Sequence, residues 1–121
     1  MITTRAPSGK AEGLTANSFS ALSLDPPLVL WSIVRKSGSL QSFVDSGHFA
    51  INVLRASQAD VSHRFAKPSP DKFEGLQVDE GYGGSPVIPG VLAAFECKTE
   101  SVIEGGDHLL FQDGVERLGI G

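Results

Sequence analysis

Two adjacent prolines, Pro26 and Pro27, stand just before the most apolar run of this chain and limit what it can fold into. Neither can donate to a sheet ladder, so the chain must break there. After the break, Leu28-Val-Leu-Trp-Ser-Ile-Val34 is nearly continuous in apolar residues, which predicts a strand buried on both faces. Before it, Gly13 to Leu24 is rich in small and hydroxyl-bearing residues, with Thr15-Ala-Asn-Ser18 near its head. An extended backbone of small residues can approach a planar ligand closely and offer it N–H, C=O and side-chain groups. Polar strand, rigid corner and buried strand, closing at Ser32, together read as the wall of a cofactor site. The plainer reading is an amphipathic hairpin with a serine-rich face toward water.

The rest of the chain is punctuated by turns. Fourteen glycines and seven prolines in 121 residues suit an antiparallel β architecture. Ile2–Arg5 and Ala11–Leu22 flank Pro7-Ser-Gly-Lys10, a hairpin pattern. After Arg35-Lys36-Ser37-Gly38-Ser39, the residues Leu40, Phe43 and Val44 carry helical spacing, and Gly47 ends the helix. Hydroxyls, free N–H groups at a helix start and two cations make a candidate phosphate site; an ordinary N-capped surface helix is the alternative. His48–Leu54 reads as a strand. Its Asn52 must find partners if buried, either in the backbone or in a ligand. Ser57-Gln-Ala-Asp60 has the form of a capping box opening a helix whose apolar stripe is Val61 and Phe65. Lys67–Pro89 is loop-rich, and Gly81-Tyr-Gly-Gly-Ser-Pro86 lacks the spacing of a dinucleotide-binding fingerprint. Val91–Ile103 predicts a long strand, Glu104–Asp107 a tight turn, and His108–Gln112 the returning strand. Cys97 falls within the first of these as a small buried residue. His48, His63 and His108 have no metal-ligand spacing, so no metal is expected.

Several of these stretches carry a resemblance. G-L-T-A-N-S-F-S-x-x-S-L-D-P-P-L-V-L from Gly13, Phe49-Ala-Ile-Asn-Val-Leu54, Ser62-His-Arg-Phe65 and Gly106-Asp-His-Leu-Leu-Phe111 run in the order seen in the flavin reductase-like, split-barrel family. The first motif is long and specific; the others are short. The family comprises short-chain reductases that feed reduced flavin to two-component monooxygenases. The resemblance implies a mainly β, split-barrel fold, Greek-key related, with short flanking helices. It implies FMN or FAD as cofactor, NADH or NADPH as co-substrate, a partner monooxygenase, and a homodimer. It places Thr15, Ala16, Asn17, Ser18 and Ser32 in the flavin wall and makes Ser37 and Ser39 hydroxyl donors to the flavin phosphate. It favours flavin contacts from Asn52, Val53 and Leu54, makes Ser57 and Gln58 candidates for the same role, and sets Phe65 against the flavin. It puts His108 beside the flavin ring and the nicotinamide as the catalytic residue. Taken alone, His108 would cap a hairpin and meet water.

Composition narrows the partners. A net charge of −4 does not suit a nucleic-acid binder. No apolar run approaches the roughly 20 residues of a membrane-spanning helix. One cysteine permits no internal disulfide, and the amino terminus lacks signal-peptide form, so a cytoplasmic protein is expected. Residues 1–121 are expected to form one domain that looks truncated at both ends relative to the family. The absence of a triad, a carboxylate pair or a metal cluster fits hydride transfer, because cofactors carry that chemistry. The resemblance thus implies an NAD(P)H:flavin oxidoreductase. The competing readings are a non-catalytic flavin-binding module for storage or sensing, and an interaction fragment that binds no flavin.

Overall fold

The computed structural model describes residues 1–15, 20–24, 27–67 and 72–120. Three of the expected wall residues, Ala16, Asn17 and Ser18, lie outside the described residues, as do Asp25 and Pro26 of the corner. The elements in order are β1 (Ile2–Arg5), β2 (Ala11–Leu14), β3 (Ser20–Leu24), β4 (Pro27–Val34), α1 (Leu40–Ser46), β5 (His48–Val53), α2 (Ala59–Ala66), β6 (Asp79–Glu80), β7 (Pro86–Val87), β8 (Ala93–Gly105) and β9 (His108–Ile120). Among the described residues one seven-stranded antiparallel sheet runs β2-β1-β5-β8-β9-β4-β3, and β6 pairs with β7 in a small ribbon.

The strand order forces curvature. β2 and β3 are neighbours in the chain but occupy opposite edges of the sheet. From Leu14 to Ser20 the chain can reach at most roughly 20 Å. Seven flat strands would set those edges roughly 29 Å apart. The sheet must therefore curl, and the architecture is a mainly β split barrel with two short helices. This also corrects the expectation of one strand over Ala11–Leu22: the run divides at Leu14, because its two halves serve opposite edges.

Curling also explains β4. Its apolar run was expected to be buried on both faces, yet burial alternates: Val29, Trp31 and Ile33 are interior, while Ser32 and Val34 are exposed. β4 is hydrogen-bonded on both sides, to β3 and β9, but only its concave face is covered. That face meets residues from across the sheet and from α1. Trp31 stacks on Phe111 with ring centroids 4.9 Å apart and meets Phe43 edge-on at 5.2 Å. Phe49, Ile2, Ile51 and Cys97 complete the cluster. Each such aromatic contact adds about 0.5–1.5 kcal/mol beyond area burial. α1 contributes Phe43, which is fully buried, and ends at Gly47 with a left-handed φ of 71°.

The hairpin of β8 and β9 is tighter and longer than its sequence suggested. Gly105 pairs with His108, so the loop is Gly106-Asp107 alone. Gly106 takes a φ of 69°, a positive value at the first loop position that suits glycine in a II′ hairpin. β9 then continues to Ile120.

One acid sits on the buried face of β9. Asp113 is fully buried, and neither carboxylate oxygen has a hydrogen-bond partner among the described residues. Burial first, then the nearby Glu100, pushes its pKa up to about 8. In the unfolded chain it releases its proton in the ordinary carboxylate range, so between there and pH 8 the folded state holds the extra proton. Stability from this group therefore falls as pH rises through that window. Asp113→Asn cannot ionise. Its melting temperature relative to the parent is expected to climb from pH 4 to pH 8, reaching a gain of about 4 °C or more at pH 8, as read by paired thermal melts across that range. A pH-independent difference would show that Asp113 is not buried as described.

Candidate functional site

A cleft of about 460 Å³ opens where β2, the β4–α1 connection, the end of α2 and Lys72 converge. Its volume is within the range of small-molecule sites, roughly 300–1,000 Å³. Four of the expected site residues meet there: Thr15, Ser37, Ser39 and Phe65. They lie up to 50 positions apart, and each is held by a specific contact. Thr15 donates its hydroxyl to Ser62 O at 2.6 Å and its N–H to Phe65 O at 3.3 Å, so the end of β2 is clamped to α2. Phe65 borders the cleft with its ring buried against β2, where Gly13 gives it room: a Cβ at Gly13 would lie 2.8 Å from the Phe65 ring. Ser37 N–H bonds to Val34 O at 3.0 Å, and Ser37 Oγ accepts from Ser39 N at 3.3 Å. Ser39 occupies the N-cap position of α1 but makes no side-chain cap. Its hydroxyl turns to Glu12 Oε2 at 3.0 Å instead.

Three cations line the same cleft: Lys10, Lys36 and Lys72. Lys72 donates to Gly13 O at 3.0 Å and Phe65 O at 3.2 Å. Burial lowers its pKa, and Glu12 works in the opposite direction. Of the two cations expected here, Lys36 lines the cleft and Arg35 does not. Arg35 is spent on the β8–β9 turn, donating Nε to Gly106 O at 2.8 Å and N–H to Asp107 O at 2.9 Å, and pairing with Glu104 at 3.1 Å. That choice has a consequence for His108. Arg35 ties the turn to the strand end that leads into Lys36–Ser39. His108 is directly opposite Val34 in the β4–β9 ladder, and Val34 lines the cleft. Side chains directly opposite in an antiparallel pair share a face, so His108 stands one strand outside the cleft wall, not in it. Its Nδ1 is 2.8 Å from Asp107 Oδ1. That hydrogen bond, with His108's charge, lowers the Asp107 pKa.

The other expected residues lie elsewhere. Ser32 is exposed on the convex face of β4, opposite Leu110. Asn52 is fully buried: its Oδ1 accepts Ile88 N at 3.0 Å and its Nδ2 donates to Thr3 Oγ1 at 3.1 Å. Its amide thus joins β5 to β1 and to the segment after β7. Val53 accepts Leu92 N at 2.9 Å, and Leu54 packs against Phe65, Ile88 and their neighbours. The capping box expected at Ser57 sits two residues earlier: Arg55 N donates to Gln58 Oε1 at 2.9 Å across a short 3-10 turn. Ser57 is exposed there. Gln58 Nε2 donates to Pro89 O at 3.1 Å, and Arg55 Nε donates to Gly90 O at 2.7 Å. Arg55, Pro89 and Gly90 border a second cleft of about 270 Å³. Sequence reasoning missed Lys10, Glu12 and Lys72 as site residues. Charged residues some 60 positions apart have no periodicity that would join them.

Comparison with known proteins places this arrangement in a context. A family model described as "Flavin reductase like domain" matches residues 1–120. The chain is 44% identical over 118 residues to the reductase component of a flavin-dependent trigonelline monooxygenase from Acinetobacter baylyi, covering 98% of this chain and 38% of that protein. It is 42% identical over 117 residues to an FMN reductase (NADH) from Agrobacterium fabrum, covering 97% of this chain and 66% of that one. Among solved structures, the NADH:FAD oxidoreductase of Streptomyces globisporus in complex with NAD and FAD fragments superposes with a TM-score of 0.91 at 34% identity, covering 99% of this chain and 72% of that one. The chain spans less than half the length of the first three curated relatives it matches.

Lys72→Met is expected to strip the Gly13 and Phe65 carbonyls of a charged donor. A loss of about 1–2 kcal/mol in urea unfolding should follow; an unchanged midpoint would mean that water serves those carbonyls equally well.

Proposed function

This chain belongs to the flavin reductase-like domain family, and on that premise we propose that it transfers hydride from NADH or NADPH to FMN or FAD and supplies reduced flavin to a partner monooxygenase. The observation that carries this reading is the cleft, which gathers three lysines and the hydroxyls of Thr15 and Ser37. That donor set fits a planar ligand with a phosphate. Ammonium and hydroxyl groups can meet phosphate oxygens, and half-buried Leu14 offers apolar surface. Thr15, Ser37, Ser39, Phe65, Lys36 and Lys72 would hold the flavin here. By resemblance, Ala16, Asn17 and Ser18 join them.

Bound flavin supplies the hydride-accepting chemistry, and the chain supplies position. Lys36 and Lys72 bind the anionic end. The Thr15 clamp on α2 fixes the wall of the cleft. Arg35 holds the β8–β9 turn so that His108 stands next to Val34, at the cleft's rim, where it can guide the nicotinamide. Asp107 fixes the His108 ring through Nδ1. No proton need pass through a buried relay, because the cofactors carry the chemistry. A homodimer and a cytoplasmic setting belong to the same proposal. Exposed Val102 and Ile103 on β8 support the first, and the buried free thiol of Cys97, suited to a reducing compartment, supports the second. Among the described residues no helix is long and apolar enough to cross a membrane.

A non-catalytic flavin-binding module is favoured by one observation, the position of His108 outside the cleft itself. Nicotinamide oxidation decides between them. Purified protein with saturating FMN or FAD should oxidise NADH or NADPH, and the rate should vanish without flavin. Tight flavin binding with no nicotinamide oxidation would select the module. His108→Ala should reduce turnover about tenfold or more while changing flavin affinity little; the reverse pattern would reassign His108 to flavin binding.

A further inference from the structure

The cleft contains an acid that a phosphate site does not call for. Glu12 stands on β2, and its side chain is only 17% exposed. Its Oε1 is 3.3 Å from Lys10 Nζ, and its Oε2 accepts the Ser39 hydroxyl at 3.0 Å. Ser39 is itself 6% exposed. Lys72 feels the same carboxylate. Glu12 therefore engages one of the three lining cations and one of the lining hydroxyls, and it acts on a second cation at longer range.

We propose that Glu12 is an internal competitor for a ligand phosphate. It holds Lys10 and Ser39, and an arriving phosphate must take them from it. The inference rests on the reading of this cleft as a flavin site. A carboxylate and a phosphate oxygen are alternative acceptors for the same ammonium and the same hydroxyl. When both anions share a partly desolvated cleft, they also repel. The cost falls on flavins that bear a phosphate and spares those that do not. Its effect is to keep affinity low and release fast, since affinity differences among variants of one site lie mostly in the dissociation rate. A protein that passes reduced flavin to another enzyme must let it go. On this view Glu12 sets how readily that happens, while Lys36 and Lys72 set how readily flavin arrives.

Riboflavin, FMN and FAD separate this role from a merely structural one, because riboflavin has the ring without the phosphate. Fluorescence titrations of the whole chain with all three ligands, in the parent and in Glu12→Gln, make the test. The glutamine keeps a carbonyl oxygen to accept the Ser39 hydroxyl but removes the charge. FMN and FAD should bind roughly tenfold more tightly to the variant and dissociate more slowly in stopped flow, while riboflavin affinity stays within about twofold, since no charge is involved. Inorganic phosphate should compete with FMN with a lower inhibition constant in the variant than in the parent. Equal shifts for riboflavin and FMN, no shift, or weaker FMN binding would each overturn the proposal and leave the flavin reading standing. A parent chain that binds none of the three flavins would overturn the flavin reading itself. Glu12→Thr, β-branched and suited to a strand, provides the same comparison if the glutamine variant does not fold.

Discussion

A tether of five residues joins β2 to β3 across the two edges of a seven-stranded sheet, and the curvature it imposes underlies everything else in the molecule. A flat sheet of this order could not be connected by so short a chain. Once curled, the sheet has one concave face to fill, and Trp31, Phe43, Phe49 and Phe111 fill it. Aromatic side chains suit that space because few of them cover a wide concavity and their rings interlock at stacked and edge-on angles. α1 closes the cluster by a single fully buried side chain, Phe43. A helix this short depends on such packing, since seven residues make too few internal hydrogen bonds to sustain it alone.

The same curvature builds the candidate site. It brings the end of β2 next to the β4–α1 connection, so that Lys10, Glu12 and Thr15 face Lys36, Ser37 and Ser39. α2 and Lys72 close the cleft from the side, with Gly13 giving the Phe65 ring room to approach β2. The site is therefore a seam between edges and connections. Its polar residues are stationed by backbone carbonyls: Ser62 O holds Thr15, Val34 O holds Ser37, and Gly13 O and Phe65 O hold Lys72. Positions fixed in this way need little reorganisation when a ligand arrives, which lowers the entropic cost of binding.

Polar groups inside the barrel divide into two kinds. Asn52 is fully engaged and acts as a joint between β5, β1 and the chain after β7. Among the described residues Asp113 has no such partners, and the barrel accommodates it by favouring its neutral form. Cys97, packed close by, is likewise driven toward its neutral form: burial, with Asp113 the first of several nearby acids, pushes its thiol pKa up to about 12. A thiol held neutral and buried is a packing residue, not a nucleophile.

Much of the architecture is legible in the residues alone. Turn-rich composition, the helical spacing of Leu40 and Phe43 with Gly47 closing the helix, and a tight turn within Glu104–Asp107 all act over a few positions, where local sterics and period decide the outcome. The long motif from Gly13 was sufficient to indicate the family. What the residues could not reveal are the relations made by curvature. Ala11–Leu22 reads as one strand until the sheet's order separates its halves. Leu28–Val34 reads as doubly buried until curling leaves one face outside. Ser39 looks like a helix cap, and Arg35 like a phosphate ligand, until Glu12 and the Gly106 carbonyl arrive from distant parts of the chain. Local sequence sets which conformations each stretch can adopt. Only closure of the sheet determines which side chains meet, because that depends on distances between residues that share no period and no turn.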